Sequence, residues 1–418
     1  MGGGFGGKES QSALFACVAA LAAWKFRRPV KLRPDRDDDI LITGRRHCFV
    51  HDFDVAHDDA GRILGARIEM VSRAGFSADL SAPVMTRALC HFDNAYWLPA
   101  VDAQGFCART NTQSNTAFRG FGGPQGAMAI ELIMDSLARK VGRDPLDVRL
   151  VNLYGIGECD TTPYGQKVVD NVLRPLIDEL VASSDYHARR EAVAAFNASS
   201  PILKKGLALT PLKFGISFNV VHLNQAGALV HVYTDGSVLV NHGGTEMGQG
   251  LNTKMAQVCA DGLGIPVSRV RVTGTDTQKV PNASATSASS GADINGAAIM
   301  NATAQMRERL APVAARMLGC EASDIEFVAD HAIYKSAAGQ KDAKKVTWPA
   351  LAKQAWLDRV GLSVTGFYMT PEIKYDFATL NGKAFYYYCY GASVSEVEID
   401  TRTGEYWVKA VDIVQDVG

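Results

Sequence analysis

The sequence predicts an α+β fold in which mixed and antiparallel sheets pack against helices. Four loops rich in small residues, at positions 2–9, 119–126, 242–250 and 282–291, each run into a stretch with helical spacing. Three pairs of β-rich segments flank short turns that are typical of hairpins. The chain has 418 residues, of which 47% are hydrophobic, so it can bury a sizeable core and is expected to form more than one domain.

The first helix is predicted at residues 13–24, an apolar stretch that we interpret as buried. A signal peptide is disfavoured because a glycine loop stands where a basic region should precede the apolar core. The stretch is also shorter than the roughly 20 apolar residues that span a bilayer, so no membrane partner is expected. The charged segment 27–39 follows as a surface crossing, and its aspartates at 35–39 indicate a solvated loop rather than a metal cluster.

A hairpin comes next about the turn at residues 58–61, and this region is predicted to be antiparallel sheet. Its two strands are predicted at 50–56 and 63–72. The loop at 119–126 then opens a second helix, which Gly142 ends. The apolar face of this helix consists of Ile130, Ile133, Leu137 and Val141. Asp144 is a favoured N-cap residue and starts a third helix.

The second half of the chain is predicted to contain a second sheet and further helices. Residues 163–200 are polar with helical spacing, so we interpret 166–205 as a helical connection between a first domain at 1–165 and a second at 206–418. The remaining predicted elements are strands at 228–233 and 237–241, a helix ending near 262–264, a helix at 297–310 and a last hairpin with strands at 393–400 and 405–414.

Charge and cysteine usage exclude several functional classes. The formal net charge of -1 gives no basic footprint, so nucleic acid is not an expected partner. The eight cysteines form no Cys-x-x-Cys pair, which predicts no iron–sulfur or zinc site within this chain. We interpret them as reduced, mostly buried thiols of a cytoplasmic protein.

The glycine loops are the strongest candidates for ligand binding. Glycine lets backbone N–H groups approach a ligand, and the start of a helix offers free donors and the positive end of the helix dipole. The loop at 2–9 also matches two nucleotide-binding patterns, but it lacks a preceding strand, and Glu9 replaces the Ser or Thr that would hold magnesium. The structural alternative is that these glycines only pack a helix against a sheet.

Several single side chains near these loops have two interpretations each. Arg119 suits an oxo or phosphate ligand, or is a surface arginine. Phe121 forms one face of a slot for a flat ring, or fills the core. Arg87 is a lone charge in an apolar stretch and needs a partner if buried, for which Glu9 is a candidate. Taken alone, His242 is a structural histidine.

Taken together, the ordered motifs identify a family. The segments GGGFGGKE, TAFRGFGGPQG, KFGISF, LNQAGALVHVYTDGSVLVNHGGTEMGQGL and SATSASSGADINGAA occur in this order. In this respect the chain resembles the molybdenum-binding subunit or domain of xanthine dehydrogenases, most closely the bacterial form. The resemblance covers essentially the whole sequence. It implies a molybdopterin cofactor that is held non-covalently, with molybdenum bound by the dithiolene of the pterin and by no protein side chain.

The resemblance also implies roles for individual residues. Those around molybdenum are Phe5, Gly6, Arg119 and Ala288, and those that hold the pterin and its phosphate are Gly248, Gln249, Ser289 and Ser290. Glu9 and Arg87 match the family's catalytic pair and favour a purine substrate, since aldehyde oxidases have apolar residues there. The residues implied for substrate binding are the ring-sandwiching Phe121 and Phe218, the apolar wall of Leu80, Val220 and Leu223, and Asn219, which replaces a frequent threonine.

The implied reaction is hydroxylation of hypoxanthine or xanthine at a ring carbon, with electrons leaving through iron–sulfur clusters and FAD on partner subunits. The family's general base is a glutamate in a Gly-Glu-Pro-Pro segment, which does not occur in this sequence. The resemblance therefore implies a fragment truncated at both ends, inactive alone, whose missing C-terminal part another chain could supply. The alternatives are an aldehyde or other N-heterocycle hydroxylase, and a non-catalytic cofactor-binding fragment.

Overall fold

The structure is a computed structural model that describes residues 4–7, 9–276, 283–335 and 344–416. Its helices are α1 Ser12–Phe26, α2 Arg36–Ile42, α3 Ser81–Leu89, α4 Gly123–Val141, α5 Pro145–Asn152, α6 Leu173–Ser183, α7 Tyr186–Ser199, α8 Leu251–Leu263, α9 Gly291–Leu318 and α10 Trp348–Leu357. Short 3-10 helices lie at Val221–Leu223, Val267–Arg269 and Ala322–Asp324.

The strands in the first half of the described chain are β1 Phe49–His57, β2 Ile63–Gly75, β3 Val101–Arg109 and β4 Leu203–Ile216. Those that follow are β5 Gln225–Val232, β6 Val238–His242, β7 Val270–Val272, β8 Ile325–Val328, β9 His331–Tyr334, β10 Lys345–Thr347, β11 Ser363–Met369, β12 Lys374–Asp376, β13 Asn381–Lys383, β14 Tyr387–Asp400 and β15 Tyr406–Gln415. Helices and sheets of both kinds confirm the predicted α+β class.

The chain divides into two compact units. The larger unit consists of Phe5–Asn219 and Lys374–Gly418, and the smaller unit of Met1–Gly4 and Val220–Ile373. These boundaries differ from the predicted division at 165 and 206, because β4 pairs along its whole length with β14 and so belongs to the larger unit. The predicted domain boundaries remain a proposal. Helices α6 and α7 occupy most of the predicted helical connection.

The larger unit contains a mixed sheet in the order β1-β2-β3 and an antiparallel sheet in the order β15-β14-β4, with β12 and β13 paired separately. β1 and β2 form the predicted hairpin, but β3 runs parallel to β2. The prediction of an antiparallel sheet was therefore incomplete, because α3 carries the chain back before β3 begins. The core joins Ile68 and Met70 of β2 to Ile130 of α4 and Val394 of β14.

The smaller unit is built on the sheet β11-β5-β6-β7, with a second sheet in the order β10-β9-β8. Its core includes Val230 of β5, Met255 of α8, Ala302 of α9 and Trp348 of α10. The predicted hairpin of β5 and β6 is confirmed, as is the last hairpin of β14 and β15 in the larger unit. Helix α9 continues past Pro312 to Leu318 and is longer than predicted.

Helix boundaries that depend on local chemistry are confirmed. Gly142 ends α4 in the left-handed conformation with φ 68°, which glycine adopts without a Cβ penalty. The side chain of Asp144 accepts a hydrogen bond from the N–H of Leu146 at 2.8 Å and caps α5. Gly264 ends α8 in the same way as Gly142 ends α4.

The first helix forms, but the prediction that it is buried was wrong. None of the residues of α1 is buried, and Leu21 and Trp24 are 64% and 66% exposed. An apolar sequence favours burial only where other chain is available to cover it, and hydrophobicity alone does not supply that contact. Among the described helices, none is both long enough and apolar enough to cross a bilayer.

Two smaller expectations were also wrong. The aspartates at 35–39 do not lie in a loop: Asp35 accepts a hydrogen bond from the N–H of Asp38 at 2.9 Å and caps α2. The other acidic residues then occupy the first turn, where the helix dipole favours them. The cysteines are free thiols, but only Cys90 and Cys259 are buried.

Candidate functional site

The part of the first glycine loop that begins at Phe5 lies beside the second loop in the larger unit. Of the first loop the structure describes residues 4–7 and Glu9, while Gly2, Gly3 and Lys8 lie outside the described residues. Gly6 has φ 98°, and a Cβ there would lie 3.1 Å from the carbonyl carbon of Ala117. Only glycine permits both this conformation and this approach. The first loop at Gly6 and the segment that leads to Arg119 are therefore neighbours.

The glycines at the start of α4 let this helix approach α3 closely. Gly122 has φ 103°, and a Cβ there would collide with the carbonyl oxygen of Val84. Gly126, one turn further along α4, faces the carbonyl of Ala88 in the same way. At these two positions glycine packs one helix against another, and not against a sheet. The close contact fixes the helix that carries Arg87.

Arg87 is 4% exposed and is surrounded by β4 and aromatic rings. Its guanidinium donates to the carbonyl of Ser217 at 2.8 Å and to that of Gly215. The guanidinium carbon lies 5.0 Å from the ring centre of Phe214 and 4.7 Å from that of Phe385. Burial lowers the pKa of Arg87 to about 10, so the side chain stays charged at neutral pH.

The expected pairing of Arg87 with Glu9 was therefore wrong, because main-chain carbonyls and ring faces provide the partners. The Nε atom of Arg87 is buried and has no hydrogen-bond partner among the described residues. A buried, unpaired donor is costly unless a ligand or water satisfies it. This atom is a position at which a bound molecule could complete the arginine's hydrogen bonding.

Glu9 is exposed and lies near a cluster centred on Asp79. Asp79 accepts hydrogen bonds from Ser10 at 2.8 Å and from Gln11 at 2.5 Å at the start of α1, and from Thr116 at 3.2 Å in the second loop. Partial desolvation, with a smaller contribution from the Asp79 carboxylate, raises the pKa of Glu9. Its carboxyl group is thus more easily protonated than an ordinary surface glutamate.

The remaining predicted residues of the larger unit occupy turns and helix ends. Leu80 precedes α3, and Phe121 adopts φ 51° between Gly120 and Gly122. Phe218 is half-buried and follows Ser217, which has φ 119°. Arg119 is exposed, and its carbonyl accepts a hydrogen bond from Arg46 at 2.6 Å. The predicted residues in this unit are Phe5, Gly6, Glu9, Leu80, Arg87, Arg119, Phe121, Phe218 and Asn219.

In the smaller unit, N–H groups of the loop before α8 and of the start of this helix bind a carboxylate from the same loop. The carboxylate of Glu246 accepts hydrogen bonds from the N–H groups of Gly248 at 2.9 Å, Gly250 at 3.0 Å and Asn252 at 2.9 Å. These bonds hold the pKa of Glu246 below its usual value. The prediction of free donors at this helix start was wrong for these three groups, because an internal carboxylate uses them.

The loop before α9 has an unusual backbone conformation. Ala288 and Ser289 are consecutive left-handed residues with φ 56° and 60°, and the buried Ser290 occupies the N-cap position. Such conformations are rare for residues with a side chain and cluster at functional sites. Hydrogen bonds fix the loop: Thr286 Oγ1 accepts from the N–H of Thr245 at 2.9 Å, and Ser284 donates to the carbonyl of Leu223 and to that of Gln225 at 3.2 Å.

These contacts bring together three segments of the smaller unit: residues 220–225, 243–250 and 283–291. The predicted residues that they carry are Val220, Leu223, Gly248, Gln249, Ala288, Ser289 and Ser290. Gln249 folds over its own loop, with Oε1 accepting from the N–H of Met247 at 2.5 Å. His242 accepts a hydrogen bond from the N–H of Gly244 at 3.0 Å, consistent with a structural histidine.

The smaller unit has room for a ligand that lies along the main chain. A Cβ at Gly248 or Gly250 would meet no atom within 4 Å, and Ser289 is exposed beside its left-handed neighbour Ala288. Among the described residues, no group of three His, Cys, Asp or Glu side chains is arranged to hold a metal ion. The open space beside Gly248 and Gly250 and the exposed Ser289 fit a ligand that is held by these loops.

Sequence reasoning missed three residues that shape these loops: His91, Ser217 and Glu246. His91 follows Arg87 by four residues, so helical spacing could have placed both on one face. Glu246 precedes two glycines and α8, which is a pattern for a local anion at a helix start. No local signal marks Ser217, because its conformation depends on contacts with distant residues.

Comparison with known proteins places these features in a family. The molybdopterin cofactor-binding domain matches twice, at residues 1–153 and at residues 179–418. Xanthine dehydrogenase/oxidase of Gallus gallus is 47% identical over 418 residues, and xanthine dehydrogenase of Oryza sativa subsp. japonica is 43% identical over the same length. Each comparison covers 100% of this chain, but 29% and 28% of the relative, so the chain spans less than a third of these relatives.

Solved structures show the same fold. Quinoline 2-oxidoreductase from Pseudomonas putida 86 superposes with a TM-score of 0.85 at 23% identity, over 100% of this chain and 53% of that one. Aldehyde oxidoreductase from Desulfovibrio gigas gives a TM-score of 0.80 at 25% identity, over 100% of this chain and 42% of that one. The chain therefore belongs to the molybdopterin cofactor-binding family, as a molybdenum-binding segment related to the xanthine dehydrogenases.

Proposed function

We propose that this chain is the molybdopterin-binding component of a xanthine dehydrogenase that hydroxylates hypoxanthine or xanthine at a ring carbon, with oxygen derived from water. The observation that carries the proposal is Arg87, a buried cation with an unpaired Nε, held beside the turn that leads to Phe218. A fixed positive charge next to an aromatic face suits a flat ring that gains negative charge as it reacts.

The residues of the chain have distinct roles in this proposal. Arg87 stabilises negative charge on the purine, and Glu9, whose pKa is raised mainly by desolvation, hydrogen-bonds the ring as its proton positions shift. Phe121 and Phe218 orient the ring between their faces, each contributing about 0.5–1.5 kcal/mol beyond burial. The apolar wall and polar neighbour of the ring are Leu80, Val220, Leu223 and Asn219.

When bound, the molybdenum cofactor supplies the oxygen-transfer and redox chemistry. The main chain of Phe5 and Gly6, the guanidinium of Arg119 and the small side chain of Ala288 would surround its metal. Gly248, Gln249, Ser289 and Ser290 would hold the pterin and its phosphate; this assignment is supported by the room beside Gly248 and the exposed Ser289.

We infer that electrons leave through iron–sulfur clusters and FAD carried outside these 418 residues. This inference is supported by the length of the relatives, of which the chain spans 29% in the Gallus gallus protein. The scattered, free cysteines are consistent with a reducing compartment, and we infer a cytoplasmic location.

The proposal is tested with the complete enzyme that contains this chain. We expect the wild type to oxidise xanthine, and Arg87→Met to lower kcat/KM for xanthine about 100-fold, as loss of a charge-stabilising group typically does. Arg67→Met, a 70% exposed arginine side chain in the same unit, is the matched control and should leave the rate unchanged. Molybdenum content and melting temperature report whether the Arg87 variant remains loaded and folded.

A second candidate is hydroxylation of an aldehyde or another N-heterocycle. Two donors of Arg87 already bind the carbonyls of Gly215 and Ser217, so fewer donors remain for a purine. This observation favours the second candidate. If the wild type oxidises benzaldehyde or quinoline faster than xanthine, and Arg87→Met does not change that order, this second function replaces the first.

A further inference from the structure

His91 lies at the end of the helical turn that follows Arg87 and is 2% exposed. Its Nε2 atom accepts a hydrogen bond from the N–H of Gly215 at 3.1 Å, and its Nδ1 atom lies 3.0 Å from the carbonyl oxygen of Arg87. A backbone N–H can only donate, so Nε2 carries no proton and Nδ1 donates to the carbonyl. The hydrogen bonds thus specify one neutral tautomer.

His91 and Arg87 hold the same peptide segment from two sides. The imidazole accepts a hydrogen bond from the N–H of Gly215, while the guanidinium donates to the carbonyls of Gly215 and Ser217. The ring of Phe385 lies so close to Gly215 that a Cβ there would overlap it. In addition to its pairing with β14, the end of β4 is therefore held by two side chains of the α3 region and one ring.

The fixed segment contains a strained residue. Ser217 has φ 119°, which residues with a side chain rarely adopt and which persists only where surrounding contacts impose it. Those contacts are the hydrogen bond from Arg87 to its carbonyl and one from the N–H of Tyr386 to its Oγ at 3.2 Å. The next residue is Phe218, so the direction of this ring depends on the geometry of Ser217.

We propose that His91 is a positioning residue for Phe218. By joining the carbonyl of Arg87 to the N–H of Gly215, it sets the strained turn at Ser217. That turn sets the orientation of Phe218 toward the substrate. The proposal rests on the proposed function only in assigning a substrate to Phe218. His91 itself does not touch the reacting atoms.

The surroundings of His91 favour the neutral ring that this role requires. Burial, and then the positive charges of Arg87 and Lys213, hold the pKa of His91 well below its usual value. Phe214 and Phe385 pack against the imidazole with ring centres 4.7 Å and 5.0 Å away. A charged imidazolium would lose the acceptor at Nε2 and break the link to Gly215.

The test is a double-mutant cycle in the complete enzyme. We expect His91→Ala to raise KM for the aromatic substrate about tenfold with little change in kcat, and to raise it less than about twofold when Phe218→Ala is already present. His91→Gln, which keeps a side-chain acceptor and donor, should restore part of the loss. His57→Gln, a partly buried histidine on β1, is the control and should leave KM unchanged.

Two measurements do not depend on the identity of the substrate. The ¹⁵N spectrum of the wild-type enzyme should show His91 protonated at Nδ1 only, and the amide of Gly215 should exchange with solvent at least about tenfold faster in the His91→Ala variant, which removes the acceptor, than in the His57→Gln control. Proton on Nε2, or equal effects of His91→Ala with and without Phe218, would overturn the proposal. If purines are not oxidised but tautomer and exchange are as expected, only the proposed substrate fails.

Discussion

The loop before α4 and the loop before α8 share a glycine-rich sequence that runs into a helix, yet their glycines serve different purposes. In the larger unit, Gly122 and Gly126 allow α4 to contact the backbone of α3. In the smaller unit, Gly248 and Gly250 have open space beside them, and their N–H groups bind the carboxylate of Glu246. One motif therefore supports close packing in one unit and anion binding in the other.

The difference shows what a glycine motif can and cannot indicate. Both loops require positive φ, which explains why glycine occurs in each. Whether a loop binds an anion depends on which atoms face its N–H groups, and those atoms come from elsewhere in the fold. The distinction between the two loops is a difference in contacts, and substitutions can test it directly.

The largest expected effect is at Gly122. Gly122→Ala adds a Cβ that collides with the carbonyl of Val84 while φ stays at 103°, so we expect a loss of more than about 3 kcal/mol in the free energy of unfolding. Gly142→Ala is the control, because it has positive φ but nothing within 4 Å of its Cβ, and should cost about 1 kcal/mol. Urea unfolding of both variants measures the difference. Equal losses would mean that close packing is not the purpose of Gly122.

A smaller effect is expected at Gly248. Gly248→Ala meets no neighbouring atom and strains only the backbone at φ 97°, so we expect a loss of about 1–2 kcal/mol. A loss as large as that of Gly122→Ala would contradict the distinction between the two loops. Cofactor retention, measured as molybdenum content of the complete enzyme, should fall more for Gly248→Ala than for Gly142→Ala.

Replacing the internal anion should have a still smaller effect on stability. Glu246→Gln removes the charge of a carboxylate that accepts hydrogen bonds from three N–H groups at an exposed site. We therefore expect a loss of about 1 kcal/mol in the free energy of unfolding. Glu308→Gln, an exposed glutamate on α9, is the matched control and should be neutral. Amide exchange at Gly248, Gly250 and Asn252 should accelerate only in the first variant, and unchanged exchange would show that Glu246 does not hold the loop.

The smallest expected effect is on the pH dependence of stability, where one glutamate in each unit should change the stability in opposite directions as pH rises. The pKa of Glu246 is lowered, so its contribution is present above the ordinary value of 4.5 and is lost as pH falls through the lowered value. The pKa of Glu9 is raised, so ionisation of Glu9 destabilises the fold as pH rises from 4.5 through the raised value. Urea midpoints of Glu246→Gln and Glu9→Gln against pH should therefore deviate from wild type in opposite directions.

Elements set by local chemistry could be predicted from the sequence. Gly142 and Asp144 bound their helices because a left-handed C-cap and an N-cap carboxylate act within a few residues. The hairpin about Gly236 could be predicted as well, because its turn has φ 82°, a conformation for which glycine is the typical residue. The motifs also indicated the family, which the comparisons confirmed.

Features set by distant contacts could not be predicted. The partners of Arg87 lie on Gly215 and Ser217, far along the chain, and spacing within α3 contains no information about them. The exposure of α1 depends on what lies against it, which its own apolar sequence does not specify. The site-residue assignments drawn from the family resemblance remain predictions until binding is measured.

The pairing of β4 with β14 has a consequence for the order in which the molecule is made. The ribosome synthesises β4 early, but the partner strand β14 emerges only after the whole segment Val220–Ile373 has been synthesised. Until then β4 exposes an unpaired edge, and loop closure over such a distance slows folding. Nascent chains paused before residue 387 should therefore depend on chaperones that shield bare strand edges, and should release them once β14 arrives.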